Sequence, residues 1–110
     1  MEKPVKGDVV VVPFPFSDLT QSKRRPALVL ASLPGEDLIL CQITSRAVTD
    51  ANAVSLEEGD FVSGGLSVSS NIRPNRLFTA GRRIVFDTAG KLRSAVLGKA
   101  ILEVISILRS

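Results

Sequence analysis

The chain has 110 residues, of which 45% are hydrophobic, so it can form one folded domain with its own core, and disorder is excluded. Its net charge of +3 is mildly basic, which alone is a weak indication of a nucleic-acid partner. The chain has no histidine and one cysteine, which excludes a Ser-His-Asp triad and a conventional zinc site.

No apolar run reaches the ~20 residues that a membrane span needs, and the charged N-terminal segment leads straight into a predicted strand. We therefore expect a single domain over residues 1–110, no membrane association and a cytoplasmic location. Cys41 lies within an apolar run, so we expect a buried, unreactive thiol in a reducing compartment.

The first half of the chain is predicted to form three strands joined by polar turns. Residues 9–12 are all valine, which favours a strand, and Pro13 and Pro15 are expected to end it. A polar loop over residues 17–23 follows. The predicted strands of this half are residues 7–14, 26–33 and 37–44.

The second half is predicted to contain shorter strands and then a helix. A flexible bend is expected at residues 61–65, and a bend or bulge at Gly81. The predicted strands are residues 53–56, 66–72, 76–80 and 82–86. Many short strands followed by one helix predict a mainly β (α+β) domain whose sheet bends strongly into a small barrel.

The apolar residues from about Lys91 to Arg109 recur at helical spacing. They cover more than one face of the predicted helix. We expect the sheet to cover one side and a second subunit to cover the rest.

Three consecutive cations, Lys23, Arg24 and Arg25, precede Pro26 at the start of the second predicted strand. There they can meet a phosphate, for which arginine offers a planar pair of donors. Because a residue before proline favours extended backbone, the Arg25 side chain projects from a fixed position. The alternative is a structural ion pair of Arg25 with Asp18 or Glu58.

Thr44 closes the third predicted strand. In hairpin-connected strands, the end of the third strand and the start of the second lie at the same end of the sheet. Arg25 and Thr44 can therefore face one site, with Ser45 and Arg46 on its rim. The alternative is that Thr44 is an ordinary strand residue.

A second group of hydrogen-bond donors lies in the segment 71–83, where Asn71, Arg73 and Arg76 could contact phosphates or base edges. A solvated charged face is the alternative. Three phenylalanines could stack on unpaired bases or lie in the core: Phe14, Phe16 and Phe78.

Four segments of the chain resemble the MazF/PemK family of toxin endoribonucleases from bacterial toxin–antitoxin pairs. The combination of Gly7-Asp8, Arg25-Pro26 and Thr44 is fairly specific, and the PemK-like branch is the most similar. The segments are GDVVVVPFPFSDLTQSKRRPALVL, LCQITS, GDFVSGGL and NIRPNRLFT.

The resemblance implies a small SH3-like β-barrel with a C-terminal helix, acting as a homodimer. It implies cleavage of single-stranded RNA, usually mRNA, at short sequence motifs, without a metal ion or cofactor. A cognate antitoxin would block the site, and the complex would bind DNA. Arg25 and Thr44 are the implied catalytic pair. The expected RNA-binding residues are Phe16, Ser17, Lys23, Arg24, Ser45, Arg46, Asn71, Arg73 and Arg76.

Two other readings stay open at this point. The chain could be a non-catalytic SH3-like module that binds a nucleic acid or a peptide. It could also be a related toxin that poisons gyrase, because one barrel can host different functions.

Overall fold

The computed structural model describes residues 2–15 and 22–110, and this part of the chain forms an antiparallel sheet and an α-helix. Phe16 and Ser17 lie outside the described residues. The elements are β1 (Asp8–Pro15), β2 (Ser22–Ser32), β3 (Asp37–Thr44), β4 (Val54–Leu56), β5 (Phe61–Gly64), β6 (Ser70–Gly81), β7 (Asp87–Leu92) and α1 (Ser94–Arg109), with 3₁₀ turns at Glu58–Asp60 and Arg82–Ile84.

The seven described strands lie in the order β4-β6-β3-β2-β1-β7-β5, and each neighbouring pair is antiparallel. They curl into a half-barrel, a shape that the right-handed twist of strands favours. The predicted mainly β fold with a C-terminal helix is confirmed.

Alternate side chains of the central strands fill two apolar clusters, one on each face of the sheet. Leu28 and Cys41 pack on the face that α1 covers through Ala100, here called the helix face. Val29 and Leu40 pack on the opposite face. Burial of each such aliphatic side chain stabilises the fold by about 1.5–3 kcal/mol.

Both strands differ from the prediction: β1 is shifted by one residue and continues through both prolines, and β2 is longer because it begins at Ser22 rather than Pro26. The ladder between β1 and β7 extends only to Val11. Beyond Val11, one edge of β1 therefore has no strand partner among the described residues. Proline is tolerated at such an edge, so Pro13 and Pro15 do not end the strand.

The second half of the chain differs more from the prediction. Residues 61–64 form β5 rather than a flexible bend, and β6 begins at Ser70. Residues 82–84 form a 3₁₀ turn rather than a strand. Residues 87–92 form β7, so α1 begins at Ser94 rather than Lys91. Pairing between β5 and β7 sets these boundaries. The prediction missed them because the local spacing of apolar residues does not show which strand pairs with which.

The helix α1 packs on the helix face mainly through its first half. Ala100 is fully buried, and Val96 and Leu97 pack against the same cluster. Leu102 and Leu108 are 66% and 71% exposed, so the predicted surplus of apolar surface is present. A second subunit as its cover stays a prediction. None of the helices in residues 2–15 and 22–110 has the length and hydropathy to cross a membrane.

Candidate active site

Arg25 lies in the interior of the sheet, in β2 and opposite Val12 of β1. Strand alternation places its side chain on the face opposite α1, together with Ala27 and Val29. There the half-buried Arg25 lines a cavity of about 520 Å³, here called the larger cavity.

The larger cavity has an aromatic wall. The rings of Phe14 and Phe78 meet edge to face, with centroids 4.9 Å apart and an interplanar angle of 74°. Both side chains are half-buried and pack against the cluster of the opposite face, so each is partly core and partly cavity wall. The other lining residues are Pro13, Gln42, Arg76, Leu77, Thr79, Ala80 and Ile84.

Arg25 also borders a second, smaller cavity of about 160 Å³. Ser45, which was expected on the rim of the site, lines this smaller cavity. The further lining residues are Arg24, Pro26, Ile43, Leu66, Ser67, Val68 and Ser70. A guanidinium that borders two cavities can reach a ligand that occupies either of them.

Thr44 is buried at the end of β3, and its hydroxyl oxygen accepts a hydrogen bond of 3.2 Å from the backbone N–H of Arg46. The β2–β3 register pairs Ala27 with Gln42. That pairing ends there, and Arg25 and Thr44 each lie two residues beyond it. The predicted pair is thus brought to one end of the same strand pair.

Arg24 is held away from the larger cavity by a cation–π contact. Its Cζ lies 4.1 Å from the ring centroid of Phe86, which follows the second 3₁₀ turn. Adjacent strand residues project to opposite faces, although Arg24 and Arg25 both border the smaller cavity. Of these two arginines, Arg25 is the one that lines the larger cavity.

Two predicted RNA contacts, Asn71 and Arg73, hold the loop between β3 and β4. Arg73 donates to Asp50 from Nε at 2.6 Å and from Nη2 at 3.0 Å. The Asn71 side chain donates to the carbonyl of Arg46 at 3.4 Å. The hydrogen bond from Arg73 lowers the pKa of Asp50, and the same bond raises the pKa of Arg73. Both contacts attach the loop to β6.

A comparison with protein families identifies the chain. The family described as PemK-like, MazF-like toxin of type II toxin–antitoxin system matches residues 5–108. The chain belongs to this toxin family. The resemblance carried by the four sequence segments is therefore confirmed, from the start of β1 almost to the end of α1. No curated protein matches the toxin.

Solved structures share the fold of the toxin. MazF from Deinococcus radiodurans is 24% identical over 100% of both chains, with a TM-score of 0.78. A MazE-MazF complex from the same organism is 24% identical over 99% of this chain and 98% of that chain, with a TM-score of 0.77. An endoribonuclease from a mycobacterial species is 18% identical over 99% and 94%, with a TM-score of 0.75.

The single thiol of the toxin is not a candidate nucleophile. Cys41 is buried, and desolvation raises its pKa to about 12, so it stays protonated at neutral pH. Its predicted burial is confirmed. In the part of the chain that the structure describes, no three His, Cys, Asp or Glu side chains are grouped as metal ligands would be.

The alternative ion pair of Arg25 with Glu58 does not occur among the described salt bridges, and Asp18 lies outside the described residues. Sequence reasoning missed three residues of the site: Gln42, Asp50 and Phe86. Gln42 could have been found, because it is a polar residue inside an apolar strand. The other two have partners distant in sequence and no local signal.

Proposed function

We propose that this toxin is an endoribonuclease that cleaves single-stranded RNA, usually mRNA, at short sequence motifs and without a metal ion or cofactor. The observation that carries the proposal is the position of Arg25, half-buried before Pro26 and bordering two cavities, at the end of the β2–β3 strand pair where Thr44 lies. Two structural relatives named as endoribonucleases support it.

In the proposed reaction, the ribose 2′-oxygen attacks the adjacent phosphorus and the bond to the 5′-oxygen of the next nucleotide breaks. The products carry a 2′,3′-cyclic phosphate and a 5′-hydroxyl. The protein positions these groups and stabilises the charge that develops on the phosphoryl oxygens.

The guanidinium of Arg25 can donate two hydrogen bonds to the nonbridging oxygens of the phosphate. Because the pKa of arginine exceeds ~12, Arg25 acts as a stabiliser and proton donor rather than as a base. The Thr44 oxygen already accepts from the backbone of Arg46, which leaves its hydroxyl proton to donate to a phosphate oxygen.

The other proposed RNA contacts divide into direct and indirect ones. Lys23, Ser45, Arg46 and Arg76 are exposed and can reach the RNA backbone directly. Asn71 and Arg73 hold the loop that carries Ser45 and Arg46, and Arg24 stacks on Phe86. Phe16 and Ser17 stay predicted contacts.

We propose that residues 1–110 act as a single domain in the cytoplasm and assemble as a homodimer whose second copy covers the exposed end of α1. A cognate antitoxin would block the site with an acidic segment in place of RNA. The structural relatives named as a MazE-MazF complex and as an endoribonuclease with its cognate antitoxin support this. DNA binding by the complex stays a prediction.

The proposal is tested by incubating the purified protein with a long single-stranded RNA in excess EDTA. Discrete fragments that end in 2′,3′-cyclic phosphate are expected. Intact RNA across a diverse pool would overturn the proposal. A gyrase supercoiling assay and an RNA-binding assay on the same preparation would then separate the gyrase-poison and binding-module alternatives.

A further inference from the structure

The larger cavity has the features of a pocket for a small planar group. Its volume of about 520 Å³ lies in the range of ligand sites, roughly 300–1,000 Å³. Phe14 and Phe78 give it an aromatic wall. The carboxamide of Gln42 stands among these apolar groups, on the central strand β3.

The Gln42 carboxamide has room, and its neighbours across the sheet leave it free of hydrogen bonds to the described residues. Across β2 it faces the small side chain of Ala27, and across β6 it faces Arg73, whose guanidinium is directed to Asp50. Within residues 2–15 and 22–110, no hydrogen bond uses the half-buried side chain of Gln42. It therefore offers both an N–H donor and a carbonyl acceptor to a ligand.

A bulge in β6 brings Arg76 to the same cavity. The β3–β6 register jumps from Cys41 opposite Leu77 to Gln42 opposite Arg73. The β6 residues between these two positions are left out of the ladder, and such bulges re-aim side chains. Arg76, which lies in the bulge, lines the cavity as a result.

Two cations thus flank the carboxamide. Arg25 on β2 and Arg76 on β6 lie on either side of Gln42 on β3. Arg25 is a diagonal neighbour of Gln42 across the strand pair, a relation that spans about 7–8 Å. One nucleotide can therefore present its phosphate to Arg25 and its base to Gln42, while Arg76 meets the adjacent phosphate.

We propose that the larger cavity holds one base of the RNA, next to the phosphate at Arg25, and that Gln42 selects that base. This inference rests on the proposed ribonuclease function. The base stacks on the phenylalanine wall, as unpaired RNA bases do on aromatic side chains. The carboxamide pairs its donor and acceptor with complementary groups on the base edge. Gln42 is thus a specificity-determining residue.

The test compares the wild type with Gln42→Met, which keeps the side chain's length and removes its donor and acceptor. Thr88→Met, at an exposed position of β7, is the control. A randomised RNA pool is cleaved and the fragment ends are sequenced. Binding of uncleavable 2′-O-methyl heptamers of A, C or U is measured by fluorescence anisotropy, and oligomeric state by light scattering.

We expect Gln42→Met to reduce the base preference at one position of the cleavage motif by about 5- to 100-fold. Preferences at the other positions should persist, and Thr88→Met should match the wild type. An unchanged motif in Gln42→Met would overturn the inference and leave the ribonuclease function standing. An altered oligomeric state with an unchanged base preference would also overturn it, because a second copy then covers the cavity.

If the wild type fails to cleave RNA, the proposed ribonuclease function is wrong. The binding of the 2′-O-methyl heptamers then tests whether the larger cavity holds a base. A base preference that Gln42→Met reduces would support a base-binding cavity without cleavage. Equal affinity of the wild type for the three heptamers would overturn the inference.

Discussion

Arg73 and Asp50 meet through two parallel hydrogen bonds, from Nε to Oδ2 at 2.6 Å and from Nη2 to Oδ1 at 3.0 Å. Their side chains are only 18% and 16% exposed. This fork-to-carboxylate geometry suits the planar guanidinium. The pair joins the β3–β4 loop to β6, and that loop begins directly after Thr44.

We expect Asp50→Asn to flatten the acid dependence of stability. The hydrogen bond from Arg73 lowers the pKa of the folded Asp50 below its ordinary value of 3.8, so the unfolded chain takes up the proton first. The pair therefore stabilises the fold fully when the pH is above the ordinary pKa of Asp50. This stabilisation is lost as the pH falls through the lower pKa that Asp50 has in the folded protein.

Urea unfolding midpoints at about pH 3 and pH 7 measure this effect. The wild type should lose more stability between the two than Asp50→Asn does. Asp37→Asn, which removes an exposed carboxylate, is the control and should follow the wild type. If the stability of the wild type and that of Asp50→Asn depended on pH in the same way, the Arg73–Asp50 pair would contribute nothing to stability.

Thr44→Val should lower the single-turnover cleavage rate by about 100-fold with little change in RNA affinity, because it removes a hydroxyl that acts on the reacting phosphate. It should also cost about 1 kcal/mol of stability, since the backbone N–H of Arg46 loses its acceptor. Thr44→Ser keeps the hydroxyl and should cleave within several-fold of the wild type. Full activity in Thr44→Val would remove Thr44 from the catalytic pair.

Gly90→Ala should destabilise the fold by about 2–3 kcal/mol in chemical denaturation. A Cβ at this position would lie 2.5 Å from the carbonyl oxygen of Ser63 and 2.9 Å from the backbone nitrogen of Gly65, and backbone cannot move aside. Gly98→Ala is the matched control, because open space surrounds a Cβ there and the residue lies in α1. Gly98→Ala should increase the free energy of unfolding by about 1 kcal/mol, because alanine has the higher helix propensity. A Gly90→Ala variant as stable as the wild type would contradict the close β5–β7 pairing.

Cys41 should not react with Ellman's reagent at pH 8 in the folded protein, because burial raises its pKa to about 12. In 6 M guanidinium chloride, one thiol per chain should react rapidly. Cleavage by Cys41→Ala should equal that of the wild type after correction for the folded fraction. Rapid reaction of the native thiol would show that Cys41 is reachable from solvent.

The strands β1 to β3 were predictable because long runs of β-forming residues define them locally. The placement of Arg25 and Thr44 at one end of the sheet was predictable for the same reason, since a hairpin connection brings the start of β2 and the end of β3 to the same end. The apolar side of α1 was also predictable from its spacing. The residue at which α1 begins was not, because β7 pairs with β1 and β5 and so keeps the preceding residues in a strand.

The rest depends on contacts between distant segments. The role of Arg73 follows from Asp50, which lies in a loop without periodicity. The direction of Arg24 follows from Phe86, at the other end of the chain. The re-aiming of Arg76 follows from a register jump between β3 and β6, and no pattern within β6 reports a jump relative to its partner.

The single-turnover rate of Arg25→Ala in excess EDTA tests the central claim most directly, with Arg25→Lys beside it and Lys6→Ala, which removes an exposed cation before β1, as the control. The account predicts that Arg25→Ala folds normally and loses cleavage by at least about 100-fold, that Arg25→Lys is partly active, and that Lys6→Ala matches the wild type. Cleavage by folded Arg25→Ala within twofold of the wild type would contradict the account.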